Sequence, residues 1–185
     1  MLRRVNRTDP PYVSPIMRVA GLPLHPIVVH AVVVLIPLAA LGALLVAARP
    51  AWRRAYGVPT LVLAVAGLLS VPLATTSGNA LAAEHGGHGS DALTLHMDRA
   101  DRVLPTMLVF VVLLAAALWL GRRTDQSADP DAATGAPSGG TAVATRTTST
   151  RLVPVLAVLA AVAGLVATWF VVLTGHAGAT SVWGS

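Results

Sequence analysis

Six histidines carry most of the side-chain chemistry available to this 185-residue chain: His25, His30, His85, His88, His96 and His176. There is no cysteine, so thiolate metal sites, cysteine nucleophiles and disulfides are excluded. Neutral imidazole suits Zn, Cu, Fe or Ni. Two facing imidazoles in a helical bundle can also ligate a haem iron. The first two histidines lie in Leu24-His25-Pro26-Ile27-Val28-Val29-His30, where polar groups enter a long uncharged stretch. On a helix, five residues separate side chains by about 140° around the axis and ~7.5 Å along it. His25 and His30 are therefore not placed to grip one ion together. The spacing puts His25 at the helix boundary and His30 more than a turn inside, as the more buried of the two.

A polar group inside a membrane span faces the bundle interior by default and marks a functional site. His96 and His176, at the ends of neighbouring spans, are the expected partners of His30. The candidate metal set is therefore His30, His96 and His176, with His25 and Asp98 behind it. Asp98 is read either as solvated or as a carboxylate that orients a histidine ligand. The alternative for His30 is a hydrogen bond to a carbonyl or hydroxyl, with Thr75, Thr76, Ser77 and Asn79 at hand. His176, between Gly175 and Gly178, reads as the polar contact of a tight turn. His85 and His88, in Glu84-His85-Gly86-Gly87-His88-Gly89, read as loop.

Other chemistries lack their residues. No carboxylate or arginine falls inside an apolar stretch, so a proton relay of the usual kind has no carrier. There is no phosphate-binding glycine loop with lysine, no serine nucleophile elbow and no HExxH. No catalytic residue is assigned. Small size and the lack of repeated halves argue against a secondary transporter.

The elements that must position the histidines follow from composition. The chain is 55% hydrophobic and only 11% charged, with mean hydropathy +0.70, whereas soluble domains carry about 25% charged residues. No Asp, Glu, Lys or Arg occurs in residues 19–48, 55–83, 103–121 or 152–185. Crossing ~30 Å of hydrocarbon takes ~20 apolar residues. The fold class is thus all-α, an integral membrane four-helix bundle, with spans near 26–48, 58–75, 103–120 and 152–173. Pro26 fits a first helical position. Pro37 and Pro72 are expected to kink their helices, and Pro105 to bend the entry to the third. Gly164, with Ala160 and Ala167, permits close helix approach. Gly175 and Gly178 are expected to pack closely as well.

By domain, residues 1–18 read as a disordered basic segment, 19–121 as helices one to three, 122–151 as a flexible cytoplasmic linker, and 152–185 as helix four with an extracytoplasmic tail. An even number of spans puts the chain ends and all six histidines on one side. The 49–54 turn and the linker hold seven arginines; the other side holds six. The asymmetry sharpens to seven against three if Met17 is the functional start, an expectation for the native N-terminus. The arginine-rich side is then cytoplasmic and the histidine side extracytoplasmic. The net charge of +5 reflects this topology signal rather than nucleic-acid binding.

His25-Pro26-x-x-Val29-His30 followed by Pro37, then the small polar end of span two, His96, and Gly175-His176-x-Gly178 form an ordered set. In that order, and through Gly21-Leu22-Pro23-Leu24-His25-Pro26, residues 20–183 outside the linker resemble a family of small bacterial inner-membrane proteins, domain of unknown function 2231. The resemblance implies four spans, a multi-pass location in the bacterial plasma membrane, and a shared histidine set at 25, 30, 96 and 176. It implies no established activity. Related domains associated with cytochrome-like partners imply a redox or metal role. Two readings stand: a histidine-lined extracytoplasmic site for a transition metal or b-type haem, and a non-enzymatic assembly subunit whose histidines hydrogen-bond between helices. The expected partners are membrane lipid and a membrane-protein or cytochrome-like protein.

Overall fold

The computed structural model describes residues 18–19, 21–84, 91–127 and 141–183. The chain enters through a two-residue antiparallel ladder, β1 (Arg18–Val19) and β2 (Leu22–Pro23). Gly21 in the connecting turn has φ +82°, a conformation that costs glycine little because it has no Cβ. The rest is helical: α1 (Leu24–Ala48), α2 (Arg53–Glu84), α3 (Asp91–Asp101), α4 (Val103–Ser127) and α5 (Thr141–Trp183). A 3₁₀ turn at Pro50–Trp52 joins α1 to α2. Four helices are long and apolar enough to cross a membrane, and the chain is an all-α four-helix bundle.

The packing is that of a bundle dissolved in lipid. Large apolar side chains point outward, Leu69, Val112 and Trp169 among them. The interior is rich in alanine, with Ala39, Ala43, Ala64, Ala160 and Ala167 buried around Ile36, Met107, Phe110 and Leu114. Lipid tails provide no hydrophobic force between helices, so small residues that admit close van der Waals approach hold them together. Gly164 is such a point: a Cβ there would come 3.1 Å from the Ala40 Cβ and 3.2 Å from Phe110. Around the bundle, α1 lies between α2 and α5, and α4 lies between α5 and α2. The short α3 lies against α5.

The helices outrun their expected bounds. α1 starts at Leu24, two residues before Pro26, which still falls in the first turn, where backbone N–H groups have no intrahelical acceptor. α2 continues nine residues past Thr75, through Ser77-Gly78-Asn79, to Glu84. Residues 174–178 are not a turn but helix, inside α5. Parts of the 122–151 linker are helical too, as the end of α4 and the start of α5. The remainder of the linker, the segment before Arg18 and the loop carrying His85 and His88 lie outside the described residues. α1 runs through Pro37, and α2 through Pro59 and Pro72, without ending. Near Pro105 the helix is interrupted at Arg102, between α3 and α4. Pro105 has no N–H for the Asp101 carbonyl and its ring crowds that oxygen. The Arg102 N–H instead closes α3 on Arg99 O at 3.2 Å.

Candidate functional site: two histidine clasps at one end of the bundle

α1 presents His25 one residue after its start, toward the far end of α2. There the imidazole Nδ1 lies 2.9 Å from the Ala74 carbonyl oxygen and 3.4 Å from Ser77 Oγ. A carbonyl only accepts, so Nδ1 carries the proton, and in the neutral ring Nε2 is then the lone pair. The ring fits because the next turn of α2 bears a glycine. A Cβ on Gly78 would stand 2.9 Å from His25 Cε1. The single O–H of buried Ser77 is shared between Leu73 O at 2.7 Å and Ala74 O at 3.1 Å, leaving its oxygen to accept from His25.

α3 repeats this arrangement on α5. His96 Nδ1 donates to the Thr174 carbonyl at 2.8 Å, and a Cβ on Gly178 would stand 2.9 Å from His96 Nδ1. In both cases a leucine precedes the histidine (Leu24, Leu95), a leucine precedes the acceptor (Leu73, Leu173), and glycine follows four residues after the acceptor (Gly78, Gly178). The buried positions of the two acceptor helices keep the same register, with Ala64, Gly67, Val71 and Ser77 of α2 matched by Gly164, Ala167, Val171 and Ala177 of α5. The two acceptor helices therefore share one local pattern around their clasps. Arg99 adds a second tie from α3 to α5 by donating to Leu173 O at 3.0 Å. The Thr174 hydroxyl beside it is buried with no hydrogen-bond partner.

The other expected site residues lie elsewhere. His30 is exposed, and it is His25, not His30, that is the more buried of the first pair. His30 Nδ1 bonds the Pro26 carbonyl of its own helix at 2.6 Å. The hydroxyls offered as its partners serve their own helix: Thr75 and Thr76 both donate to Pro72 O. His176 is exposed. Asp98 accepts from Arg102, at 3.4 Å on the surface, rather than from a histidine. Among the described residues no three His, Asp or Glu side chains come together to hold a metal ion. The set His30, His96 and His176 is thus not assembled, because the first and last face outward while the second faces α5. Of the glycines expected to pack closely, Gly164 and Gly178 do; at Gly175 an added Cβ would meet nothing within 4 Å.

Sequence reasoning missed the role of His25, and with it Gly78 and the Ala74 carbonyl. The available signal was the spacing shared by Leu73 to Gly78 and Leu173 to Gly178, which becomes visible once both segments are taken as helix.

The opposite end is held by charge. Arg53 donates to both carboxylate oxygens of Asp125, at 2.9 and 3.1 Å, and Arg54 joins at 3.3 Å. Gly121 makes the room: a Cβ there would meet the Arg53 guanidinium at 2.6 Å. This pins the start of α2 to the end of α4.

No curated protein and no solved structure matches this chain. A family model described as a predicted membrane protein, DUF2231, matches residues 21–185, a stretch that takes in the whole bundle and both clasps. The chain belongs to the DUF2231 family of membrane proteins.

Proposed function

We propose that the protein is a non-catalytic scaffold of a bacterial plasma-membrane complex, in which His25 and His96 clasp its helices together. The observation that carries this reading is the pair of Nδ1 donations to carbonyls of neighbouring helices, Ala74 and Thr174. Each clasp has a glycine cut to the imidazole, which is how a structural hydrogen bond between helices is made. His30 supports the assembly role, because its exposed imidazole lies within a span, where polar groups seek protein rather than lipid. We place the clasp end outside the cytoplasm and the arginine-rich end inside, on the balance of arginines.

A second reading has one specific observation in its favour. Metal-ligating histidines typically donate their other N–H to a carbonyl or carboxylate. His25 and His96 do this, and in the neutral form of each ring Nε2 is the lone pair that would face a metal. A transition metal, or a b-type haem held by two imidazoles, would then be taken by His25 and His96 rather than by His30, His96 and His176.

The test is purification in mild detergent from cells supplied with iron, copper and zinc. The scaffold reading expects no Soret band, sub-stoichiometric metal, and a loss of about 1–2 kcal/mol in stability for each of His25→Ala and His96→Ala. A Soret band or one metal per chain, lost in those variants and kept in His30→Ala, would establish the second reading instead.

A further inference from the structure

The two ends of the bundle differ in charge. Among the described side chains, the end made by the α1–α2 turn, the end of α4 and the apolar start of α5 holds Arg49, Arg53, Arg54, Arg122, Arg123 and Arg151 against one carboxylate, Asp125. The clasp end holds Arg99 and Arg102 against Asp91, Asp98 and Asp101. Asp125 is already committed, with both oxygens taken by Arg53 and one shared with Arg54. Among the described residues no carboxylate pairs with Arg49 or Arg122. Arg49 and Arg122 are therefore exposed cationic groups without a carboxylate partner among the described residues.

Two arginines at this end lie over tryptophans. The Arg49 guanidinium lies over the Trp52 ring at 5.2 Å, and the Arg123 guanidinium over the Trp119 ring at 3.7 Å. The guanidinium fork of Arg49 matches phosphate oxygens in shape and charge. Both tryptophans are exposed, and tryptophan favours the headgroup level of a membrane. Depth agrees. α1 has 25 residues, about 37 Å of helix, and Arg49 directly follows its last residue, so the guanidinium reaches the phosphate layer. Exposed Leu45, one turn before Arg49, and exposed Trp119, one turn before Arg123, lie on the acyl side of those charges.

We infer that this end of the bundle is a binding site for anionic glycerophospholipids, whose headgroup phosphates are held by Arg49 and Arg122 while their acyl chains lie on the apolar faces below. The apolar contacts select a lipid over free phosphate, and the uncompensated arginines select an anionic lipid over a zwitterionic one.

The experiment measures lipid binding to the purified full chain in an uncharged detergent, by native mass spectrometry. The probes are dioleoyl-phosphatidylglycerol, dioleoyl-phosphatidylcholine and inorganic phosphate. The native chain should bind phosphatidylglycerol at least tenfold more tightly than phosphatidylcholine. Near-surface arginines contribute about fivefold each, so the double variant Arg49→Gln with Arg122→Gln should lose about 25-fold for phosphatidylglycerol and nothing for phosphatidylcholine. Arg102→Gln, at the other end, should bind as the native chain does. Should the double variant fail to fold, the native chain decides by salt: 0.5 M NaCl should erase the preference for phosphatidylglycerol, because exposed charges are screened. Equal affinity for the two lipids, a preference that survives the double variant or the salt, or full competition by millimolar inorganic phosphate would each overturn the inference.

Discussion

At the scale of the residue, the two clasps depend on glycine as much as on histidine. Gly178 and Gly175 stand three residues apart in the same helix, yet only the first has the His96 ring against it. Gly178→Ala should therefore push the ring off the Thr174 carbonyl and lower stability by about 1–3 kcal/mol, combining overpacking with a weakened hydrogen bond. Gly175→Ala should be neutral or stabilising by up to about 1 kcal/mol, since alanine is the better helix former and meets nothing there. Thermal unfolding of the two variants in the same detergent checks the contrast; equal losses would count against the clasp. The histidines were legible as polar groups at one end of the bundle. Which of them was inward was not, because the 3.6-residue period fixes the angle between His25 and His30 but not which face meets a neighbour. With nearly every other position of α1 apolar, no amphipathic stripe marks that face.

At the scale of the element, four spans could be read from uncharged stretches alone, since hydrocarbon tolerates only backbone that hydrogen-bonds within itself. The ends could not. Thr75 to Asn79 and Gly175 to Gly178 have the composition of turns, but in the structure the hydroxyls of Thr75, Thr76 and Ser77 bond to their own helix, and an imidazole covers each clasp glycine. Two contacts set how the elements pack. Gly164→Leu should separate α5 from Ala40 and Phe110 and cost about 1–3 kcal/mol by overpacking, read as a lowered melting temperature. Asp125→Asn should release Arg53 and Arg54 and loosen α2 from α4, costing about 1.5 kcal/mol, the lower end for hydrogen bonds between charged groups because the carboxylate is partly exposed. Hydrogen exchange should then rise at the start of α2 and the end of α4 while the clasp end is unchanged.

At the scale of the whole molecule, one device closes the bundle twice at the same end, with His25 of α1 on the Ala74 carbonyl of α2 and His96 of α3 on the Thr174 carbonyl of α5. The likeness stays hidden in the sequence because the two clasps share few identities beyond the leucines, the histidine and the glycine, and because a break at Arg102 divides α3 from α4. The family match secures membership but brings no activity with it, so the functional reading rests on what the two imidazoles do. The most direct test is their tautomeric state, read by long-range proton–nitrogen NMR on the full chain labelled with ¹⁵N-histidine, with His25→Ala and His96→Ala providing the assignments. The account predicts two rings fixed with the proton on Nδ1 and a lone pair on Nε2, each signal vanishing in its own variant. Rings that instead show the averaged nitrogen shifts of a freely exchanging imidazole, or that carry the proton on Nε2, would contradict it.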